Sequence, residues 1–508
     1  MIKNQLISLL KFTIVWCLFN ACIGGLSHFN ERPKGVHQGA QCDRASIALN
    51  YYHNDLNLLY PEVHENRCKD GIVSCEFPLT NYLTAIVYKC INDDEKYFRI
   101  LTFIFVSLGM YGLFLLFGLY VKSVIAYILL FLLNASPILL FYAANFIPDA
   151  SALGLSLVAW YLFFRLFIPH PYLPNYKKLG SIILFILTLT LAVASKTTCL
   201  IQWMTMAGVY FLSHFKLSKI ELTNKKGLIS SLLFALILPI LWQLWAHQLG
   251  KLHNSEFFIL HIPLITDKTA FLNAWKVYLG NWPQETFTSY LQYAVALLLL
   301  VPFFVKKYIS NALWYISLLN TIGSILFMAI MINQFMYHDY YILCLFPAIV
   351  LNWLALASAA VKIKSYFWWV KIGLVMLLIV ALQKQFSYGK SNLESRYTTG
   401  TYWEQSQQKT IDYTLFKHKI NALGITRKSC VLVGYDGAPN NVLYLLDLNG
   451  RRINKDFSDE QIRDAVDEIK PQYLISNDSL FTLKMATYFK GLDLLSQEKY
   501  LALYRVRY

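Results

Sequence analysis

The sequence is poor in charge and rich in long apolar runs. Charged residues make up 15% of the 508 residues and hydrophobic residues 56%, with a mean hydropathy of +0.43. This composition excludes an ordinary soluble domain and requires helices that face lipid. The cysteines show no metal-ligand spacing, the C-terminal part has no phosphate-binding glycine loop, and no solenoid-type repeat occurs. Structural zinc, a nucleotide loop and a repeat array are therefore not predicted.

The net charge of +15 would suggest a nucleic-acid partner if the protein were soluble. The basic residues, however, fall mostly in short loops between the apolar runs, which is the pattern of membrane-topology signals. We therefore expect the lipid bilayer and no nucleic acid as a partner.

Apolar runs of sufficient length predict about eleven membrane-crossing helices. The first run resembles a signal peptide, but no small-residue cleavage site follows it convincingly, and we interpret it as a retained helix. The runs lie near residues 8–26, 100–120, 124–143, 150–168, 179–195, 198–213, 228–245, 289–304, 310–331, 341–361 and 367–383.

Loop charge predicts the orientation of these helices. If the N-terminus is cytoplasmic, alternate loops carry basic residues such as Lys122, Lys216, Lys306 and Lys362, whereas the short loops on the opposite face hold almost none except Lys196. Positive charge favours the cytoplasmic side. We therefore predict a multi-pass protein of the inner (plasma) membrane, with residues 27–99, residues near 246–288 and everything after about residue 384 outside the cytoplasm.

The predicted fold class is mainly α, a polytopic transmembrane bundle followed by a small α/β domain. Residues 1–383 form the membrane domain, and its first outer loop, 27–99, contains an interfacial helix near residues 77–90, which is too short to span. Residues 384–508 form the extracytoplasmic domain. Strands are predicted at 430–433, 473–475 and 501–506, and a capping box at Ser458 begins a helix that runs to about Lys470.

Nine cysteines are present, and four of them lie in the first outer loop. Cys68 and Cys75 are close enough in sequence to form a disulfide if that loop faces an oxidising compartment. Free buried thiols are the alternative.

Two acidic residues at the predicted outer face are candidate catalytic groups, because a carboxylate at this boundary is costly to keep. Asp43, flanked by His37 and Arg44, comes soon after the first span and precedes an amphipathic helical pattern. Asp149 follows Pro148 where the chain re-enters the bilayer. The alternative for each acid is a helix cap, since Asp is a preferred capping residue.

Three more groups fall on the same face. Glu76 either complements the positive end of the interfacial helix or contacts substrate. Lys196 is a cation in an otherwise apolar outer turn, where it either snorkels or binds an anion. His338, Asp339 and Tyr341 stand in a tyrosine-rich segment that is either an interfacial belt or part of a site. Their common location on one face indicates a site more strongly than any one of them does.

These motifs resemble the GT-C class of polytopic glycosyltransferases, and most closely the bacterial family-39 branch that is related to protein O-mannosyltransferases and the lipid A aminoarabinose transferase. The resemblance covers essentially the whole chain. It rests on Asp43 within Ala40-Gln41-Cys42-Asp43-Arg44, Glu76-Phe77-Pro78-Leu79, Pro148-Asp149, Lys196, His338-Asp339-Tyr340-Tyr341 and the stretch Gly434-Tyr435-Asp436-Gly437-Ala438-Pro439-Asn440.

The resemblance implies an enzyme that transfers a sugar from a polyprenyl-phosphate donor to an envelope lipid, glycan or protein, with inversion at the anomeric carbon. Asp43 would act as the base, and Lys196 would stabilise the departing phosphate with help from Arg44 or His338. Asp149 would orient a substrate or help to hold a divalent cation, for which the sequence offers no complete ligand set. The alternative is a transporter or lipid flippase, although such proteins usually bind near the bilayer midplane, where this chain has few charges.

Overall fold

The computed structural model describes residues 2–170, 179–255, 264–304, 306–362, 368–398, 412–434, 436–499 and 501–508. Most of the described residues before 399 are helical. The first ten helices are α1 Ile2–Ile23, α2 Gln38–His53, α3 Leu79–Cys90, α4 Lys96–Phe117, α5 Ser123–Asn134, α6 Pro137–Ala143, α7 Pro148–Phe167, α8 Leu179–Ser195, α9 Leu200–His214 and α10 Lys225–Leu252. The next six are α11 Lys268–Asn281, α12 Ser289–Phe304, α13 Asn311–Ile330, α14 Ile332–Tyr337, α15 Phe346–Lys362 and α16 Trp368–Thr398.

A helix lies at every predicted span, and the mainly helical fold is confirmed. Within the described residues, 7 helices are long and apolar enough to cross a membrane, or up to 8 if α5 and α6 form one broken span. α5 and α6 meet at an angle of 84°, and Pro137 explains the bend because it disfavours a helical conformation at Ser136. Helices such as α8 and α9 are shorter, so the predicted count of about eleven stays a prediction.

Close packing between α4 and α7 places the start of α7. A Cβ on Gly109 would lie 2.5 Å from Cα of Gly154, and a Cβ on Gly154 would lie 2.2 Å from the carbonyl oxygen of Phe105. Only glycine permits this approach, as in other tightly packed membrane helices. The contact fixes α7, whose first turn carries Asp149.

The C-terminal region forms the predicted small α/β domain. Its elements are α17 Tyr413–Ala422, β1 Cys430–Gly434, α18 Asn441–Leu446, β2 Asn449–Ile453, α19 Asp459–Ile469, β3 Tyr473–Ser476, α20 Ser479–Ala486, β4 Gly491–Glu498 and β5 Leu501–Arg507. The sheet has the order β2-β1-β3-β5-β4, in which β1 pairs in parallel with β2 and β3, whereas β5 runs antiparallel to β3 and β4. The predicted strands and the capped helix are confirmed, and β2 and β4 were not predicted.

The C-terminal domain is attached to the first loop of the chain. A disulfide joins Cys68 to Cys430, and the backbone N–H of Arg67 donates a hydrogen bond to the carbonyl of Gly450. The predicted pairing of Cys68 with Cys75 is therefore wrong, and Cys75 is a buried free thiol. Arg67 and Cys68 both have positive φ, 50° and 57°, so the chain turns at this point and Cys68 meets the C-terminal domain.

Candidate active site

Asp43 lies inside a helix and caps none. α2 begins at Gln38, before the predicted start, so the expected position of Asp43 at the N-terminal end of a helix is wrong. The helix starts early because His37 adopts the left-handed conformation, φ 54°, and turns the chain into it. The Asp43 carboxylate instead accepts a hydrogen bond from the side-chain amide of Asn440, at 2.9 Å between Nδ2 and Oδ1.

The surroundings of Asp43 suit a proton acceptor. Burial raises the pKa of its carboxyl to about 6, and the hydrogen bond from Asn440 and the charges of Arg44 and Arg452 offset part of that rise. The side chain keeps partial contact with solvent. A base with a pKa near 6 is largely ionised at neutral pH and still binds a proton well enough to take one from a hydroxyl group.

The segment that carries Glu76 is held by hydrogen bonds to two helices. The backbone N–H of Phe77 donates to the carbonyl of Ala194 in the last turn of α8, at 3.1 Å. The indole N–H of Trp242 in α10 donates to the carbonyl of Cys75, at 2.8 Å. These two bonds hold the intervening Glu76 beside Lys196, which follows α8 directly.

Four charged side chains form a connected group that we call the lysine cluster: Arg44, Glu76, Lys196 and Asp149. Nζ of Lys196 lies 3.3 Å from Oε1 of Glu76 and 3.3 Å from Oδ2 of Asp149. The other carboxylate oxygen of Glu76 accepts from the guanidinium of Arg44 at 2.6 Å. Burial acts to raise the pKa of Glu76, but the charges of Arg44 and Lys196 outweigh it and lower that pKa to about 2.

This geometry rules out snorkelling for Lys196 and helix capping for Asp149. Lys196 does not snorkel, because it is only 5% exposed and its ammonium lies 4.8 Å from the ring centre of Tyr341. Asp149 makes no cap, since Ile147 occupies the N-cap of α7 and Asp149 follows Pro148 in the first turn. Glu76 binds two cations rather than the start of α3.

A second buried group, the aspartate cluster, surrounds Asp339: His37, Tyr142, Glu285 and Arg396. Asp339 is fully buried and accepts a hydrogen bond from the Tyr142 hydroxyl at 2.6 Å. Its carboxylate lies 3.2 Å from Nε2 of His37 and also pairs with the Arg396 guanidinium. Arg396 makes a further ion pair with Glu285 at 2.6 Å.

Aromatic side chains lie between the two clusters. The rings of His338 and His37 are 5.6 Å apart, and each is 5.3 Å from the ring of Tyr340. Burial and the nearby His37 and Lys196 lower the pKa of His338 to about 3. His338 is therefore neutral near pH 7, so its expected part in stabilising the phosphate would be as a hydrogen-bond donor and not as a cation.

Several residues of the site were not predicted, namely Tyr142, Glu285, Arg396 and Asn440. The rise in polarity at Lys384 predicts that Arg396 belongs to the C-terminal domain, yet α16 continues past that predicted boundary to Thr398. Asn440 belongs to the tail stretch of the resemblance, in which Tyr435 lies outside the described residues. Asn440 and Asp43 are 397 residues apart, so no short sequence motif links them and their contact could not be predicted.

Among the described residues, no group of three or more His, Cys, Asp or Glu side chains is placed to hold a metal ion. Asp149, the residue expected to help hold a divalent cation, is paired with the ammonium of Lys196. The positive charges of the lysine cluster that the structure shows are those of Lys196 and Arg44.

Comparison with solved structures identifies the fold. ArnT from Cupriavidus metallidurans, a lipid A aminoarabinose transferase, matches in its apo state over 99% of this chain and 98% of its own, with a TM-score of 0.62 and 11% identity. The same protein bound to undecaprenyl phosphate matches over 97% and 98%, with a TM-score of 0.60 and 11% identity. This chain has the GT-C glycosyltransferase fold.

A more distant neighbour has the same fold. The Archaeoglobus fulgidus oligosaccharyltransferase in its apo form matches over 94% of this chain and 71% of its own, with a TM-score of 0.54 and 12% identity. No protein-family model matches the sequence, and no curated protein matches it by sequence comparison. The predicted GT-C resemblance is thus confirmed at the level of the fold.

Proposed function

We propose that the protein is an integral-membrane glycosyltransferase. It would transfer a sugar from a polyprenyl-phosphate donor to an envelope acceptor (a lipid, polysaccharide or protein) with inversion. The observation that carries the proposal is the lysine cluster, in which a buried ammonium lies between two carboxylates at the ends of helices in a GT-C fold. The neighbour solved with undecaprenyl phosphate supports the class of donor.

In this proposal Asp43 is the general base. It takes the proton of the acceptor hydroxyl while that oxygen attacks the anomeric carbon and the bond to the polyprenyl phosphate breaks. Attack from the face opposite the leaving group inverts the carbon. A carboxylate with a pKa near 6 suits this role at neutral pH.

Lys196 would stabilise the phosphate as it departs. An ammonium has three N–H donors, and Glu76 and Asp149 each lie within ion-pair distance of one of them. A phosphate oxygen can therefore take another donor while both carboxylates keep Lys196 in place. Arg44 reaches the same cluster through Glu76 and adds positive charge.

The arrangement of helix ends favours an enzyme over the alternative of a transporter or flippase. Asp149 lies at the start of α7, Lys196 directly after α8, Asp339 at the start of the 3₁₀ turn that leads into α15, and Arg396 near the end of α16. Neighbouring helices run in opposite directions, so the start of one helix lies beside the end of the next. All four groups therefore lie at one end of the bundle. A transport site is expected near the bilayer midplane.

We further propose that this end of the bundle is extracytoplasmic and that the N-terminus is cytoplasmic. The loop-charge pattern supports this orientation. The Cys68–Cys430 disulfide supports it independently, because disulfides persist in oxidising compartments, and it joins the first loop to the C-terminal domain.

The experiment that tests the proposal is transfer by the Asp43→Asn variant. An asparagine keeps the size of the side chain, and its carbonyl can still accept the hydrogen bond from Asn440, so the protein should insert and fold. We expect transfer to fall by about 10²–10⁴-fold, since that is the usual contribution of a general base. Mass spectrometry of the cell envelope with and without the protein identifies the glycan to assay.

The pH dependence supplies a second measurement on the wild type. The base acts when ionised, so the rate should fall as pH drops through about 6, the pKa of Asp43. Normal transfer by Asp43→Asn would remove Asp43 from the mechanism, and an envelope unchanged by loss of the protein would contradict the proposed function.

A further inference from the structure

We propose that Asn440 of the C-terminal domain is a positioning residue for Asp43, so that this domain completes the active site. The inference deepens the proposed function and rests on it for the catalytic role of Asp43. It assigns the C-terminal domain a direct part in the chemistry of the membrane domain.

The amide of Asn440 is held in one orientation. Its oxygen accepts a hydrogen bond from the backbone N–H of Glu65 at 2.7 Å, and its nitrogen donates to Oδ1 of Asp43 at 2.9 Å. The side chain is fully buried. A backbone N–H can only donate, so the amide oxygen must face Glu65 and the NH₂ group must face Asp43.

At the helix position that Asn440 occupies, an asparagine side chain usually makes a different hydrogen bond. Asn440 is the N-cap residue of α18, where an asparagine usually accepts a backbone N–H of the first turn, yet it makes no such bond. Asp436 takes that role, because its carboxylate accepts the N–H of Val442 at 2.7 Å. The Asn440 amide is thereby left available for Asp43.

Several contacts hold this part of the C-terminal domain against α2. The Cys68–Cys430 disulfide ties the first loop to β1, and the backbone N–H of Gly450 donates to the carbonyl of His64 at 3.2 Å. Gly39 of α2 packs so closely on Ala438 that a Cβ there would lie 2.2 Å from the Ala438 Cβ. The interface is thus tight where Asn440 meets Asp43.

The charged groups that face Asp43 are Arg44 on its own helix and Arg452 on β2. The neighbouring Cys42 is a buried thiol. A hydrogen bond donated to a carboxylate favours its ionised form, so the bond from Asn440 lowers the pKa of Asp43. Its loss should raise that pKa, and more of Asp43 should be protonated at any given pH near 6.

The test measures protonation of Asp43 directly and needs no sugar. A hydrophobic carbodiimide, which modifies protonated carboxyl groups, is applied across pH to the full chain in detergent, and mass spectrometry follows the Asp43 peptide. We expect Asn440→Ala to move the labelling midpoint upward by about one pH unit. Asn440→Asp should move it further, because it keeps the acceptor for Glu65 but places a second carboxylate against Asp43.

Asn441→Ala is the matched control. Asn441 lies at the same interface and accepts hydrogen bonds from Gln38 and Cys42, at 3.2 Å and 3.5 Å. Its replacement should leave the midpoint unchanged. The Cys68–Cys430 cross-linked peptide in a non-reduced digest shows whether each variant keeps the interface. If Asn440→Ala loses that peptide, the labelling midpoint of Asn440→Asp shows whether residue 440 affects the protonation of Asp43.

A wild-type midpoint in the Asn440 variants that keep the cross-link would overturn the inference. Where transfer can be assayed, an upward shift of one unit should reduce the rate at pH 6 about five-fold relative to wild type. Absence of any sugar transfer by the wild type would contradict the proposed function, yet the labelling result would still test the contact between Asn440 and Asp43.

Discussion

Replacement of Lys196 separates a phosphate-binding role from that of a structural counter-ion. Lys196 is 5% exposed and pairs with Glu76 and Asp149, whose side chains are 13% and 4% exposed. Lys196→Gln therefore leaves two buried carboxylates, with Arg44 remaining on Glu76. Removing one partner of a buried ion pair costs about 3–5 kcal/mol. We expect the single variant to unfold at a lower temperature in detergent, whatever its role in catalysis.

The double variant Lys196→Gln/Asp149→Asn removes one charge of each sign and leaves Arg44 and Glu76 as a matched pair. Because neutral groups can replace a buried ion pair at little cost, its unfolding temperature should recover most of the loss. If Lys196 binds the donor phosphate, transfer at limiting donor should stay about 10²–10³-fold below wild type, the usual cost of losing one charge-stabilising donor.

Two further variants complete the experiment. Asp149→Asn alone keeps Lys196 paired with Glu76 and measures what Asp149 contributes by itself. Lys196→Arg keeps the positive charge but carries it on a planar guanidinium group, so this variant should retain part of the transfer rate at limiting donor. The rate is measured against donor concentration in nanodiscs for the four variants and the wild type. If the double variant works as well as Asp149→Asn at limiting donor, Lys196 is only a counter-ion, and Arg44 becomes the candidate for the phosphate.

Two other predictions concern the aspartate cluster and the orientation. Asp339→Asn should lower the free energy of unfolding by about 3–5 kcal/mol, because Arg396 and His37 lose a fully buried partner. Glu285→Gln is the control: Glu285 is 24% exposed, so its replacement should lower the free energy of unfolding by less. Equal losses in the two variants would contradict this reasoning. A reporter that is active only in the cytoplasm should be silent when fused after Tyr508, whereas a strong signal would reverse the proposed orientation.

The apolar runs predict where the long apolar helices lie, and the charged motifs predict residues that meet at one end of the bundle. Apolar runs have the length of helices that cross a bilayer, and each predicted run falls on a helix. The rarity of charge made Glu76, Asp149 and Lys196 stand out, and the structure joins them in one cluster. Their proximity could be expected because the loop charges predict the same membrane face for all three.

The remaining contacts depend on pairings that a sequence pattern does not encode. Arg396 reaches Asp339 only because α16 continues beyond the apolar run. The residues of this extension are polar, so hydrophobicity does not indicate that the helix continues. Cys68 bonds to Cys430 and not to the nearer Cys75, because two residues of positive φ turn it toward the C-terminal domain. The start of α2 depends on a left-handed His37, a conformation that is uncommon outside glycine and that the sequence does not require at this position.

The two halves of the proposed mechanism depend on different parts of the fold. The lysine cluster is held by the ends of α7 and α8 and the loop before α3, so substitutions there should change donor use and stability. The environment of Asp43 is set by the C-terminal domain through Asn440, so substitutions there should change the pH dependence of transfer. The two effects should be close to additive unless the sites are coupled through the adjacent Arg44. A double-mutant cycle between Lys196→Arg and Asn440→Ala therefore measures whether proton acceptance and phosphate departure are linked, and independence would indicate that the C-terminal domain acts on the acceptor side alone.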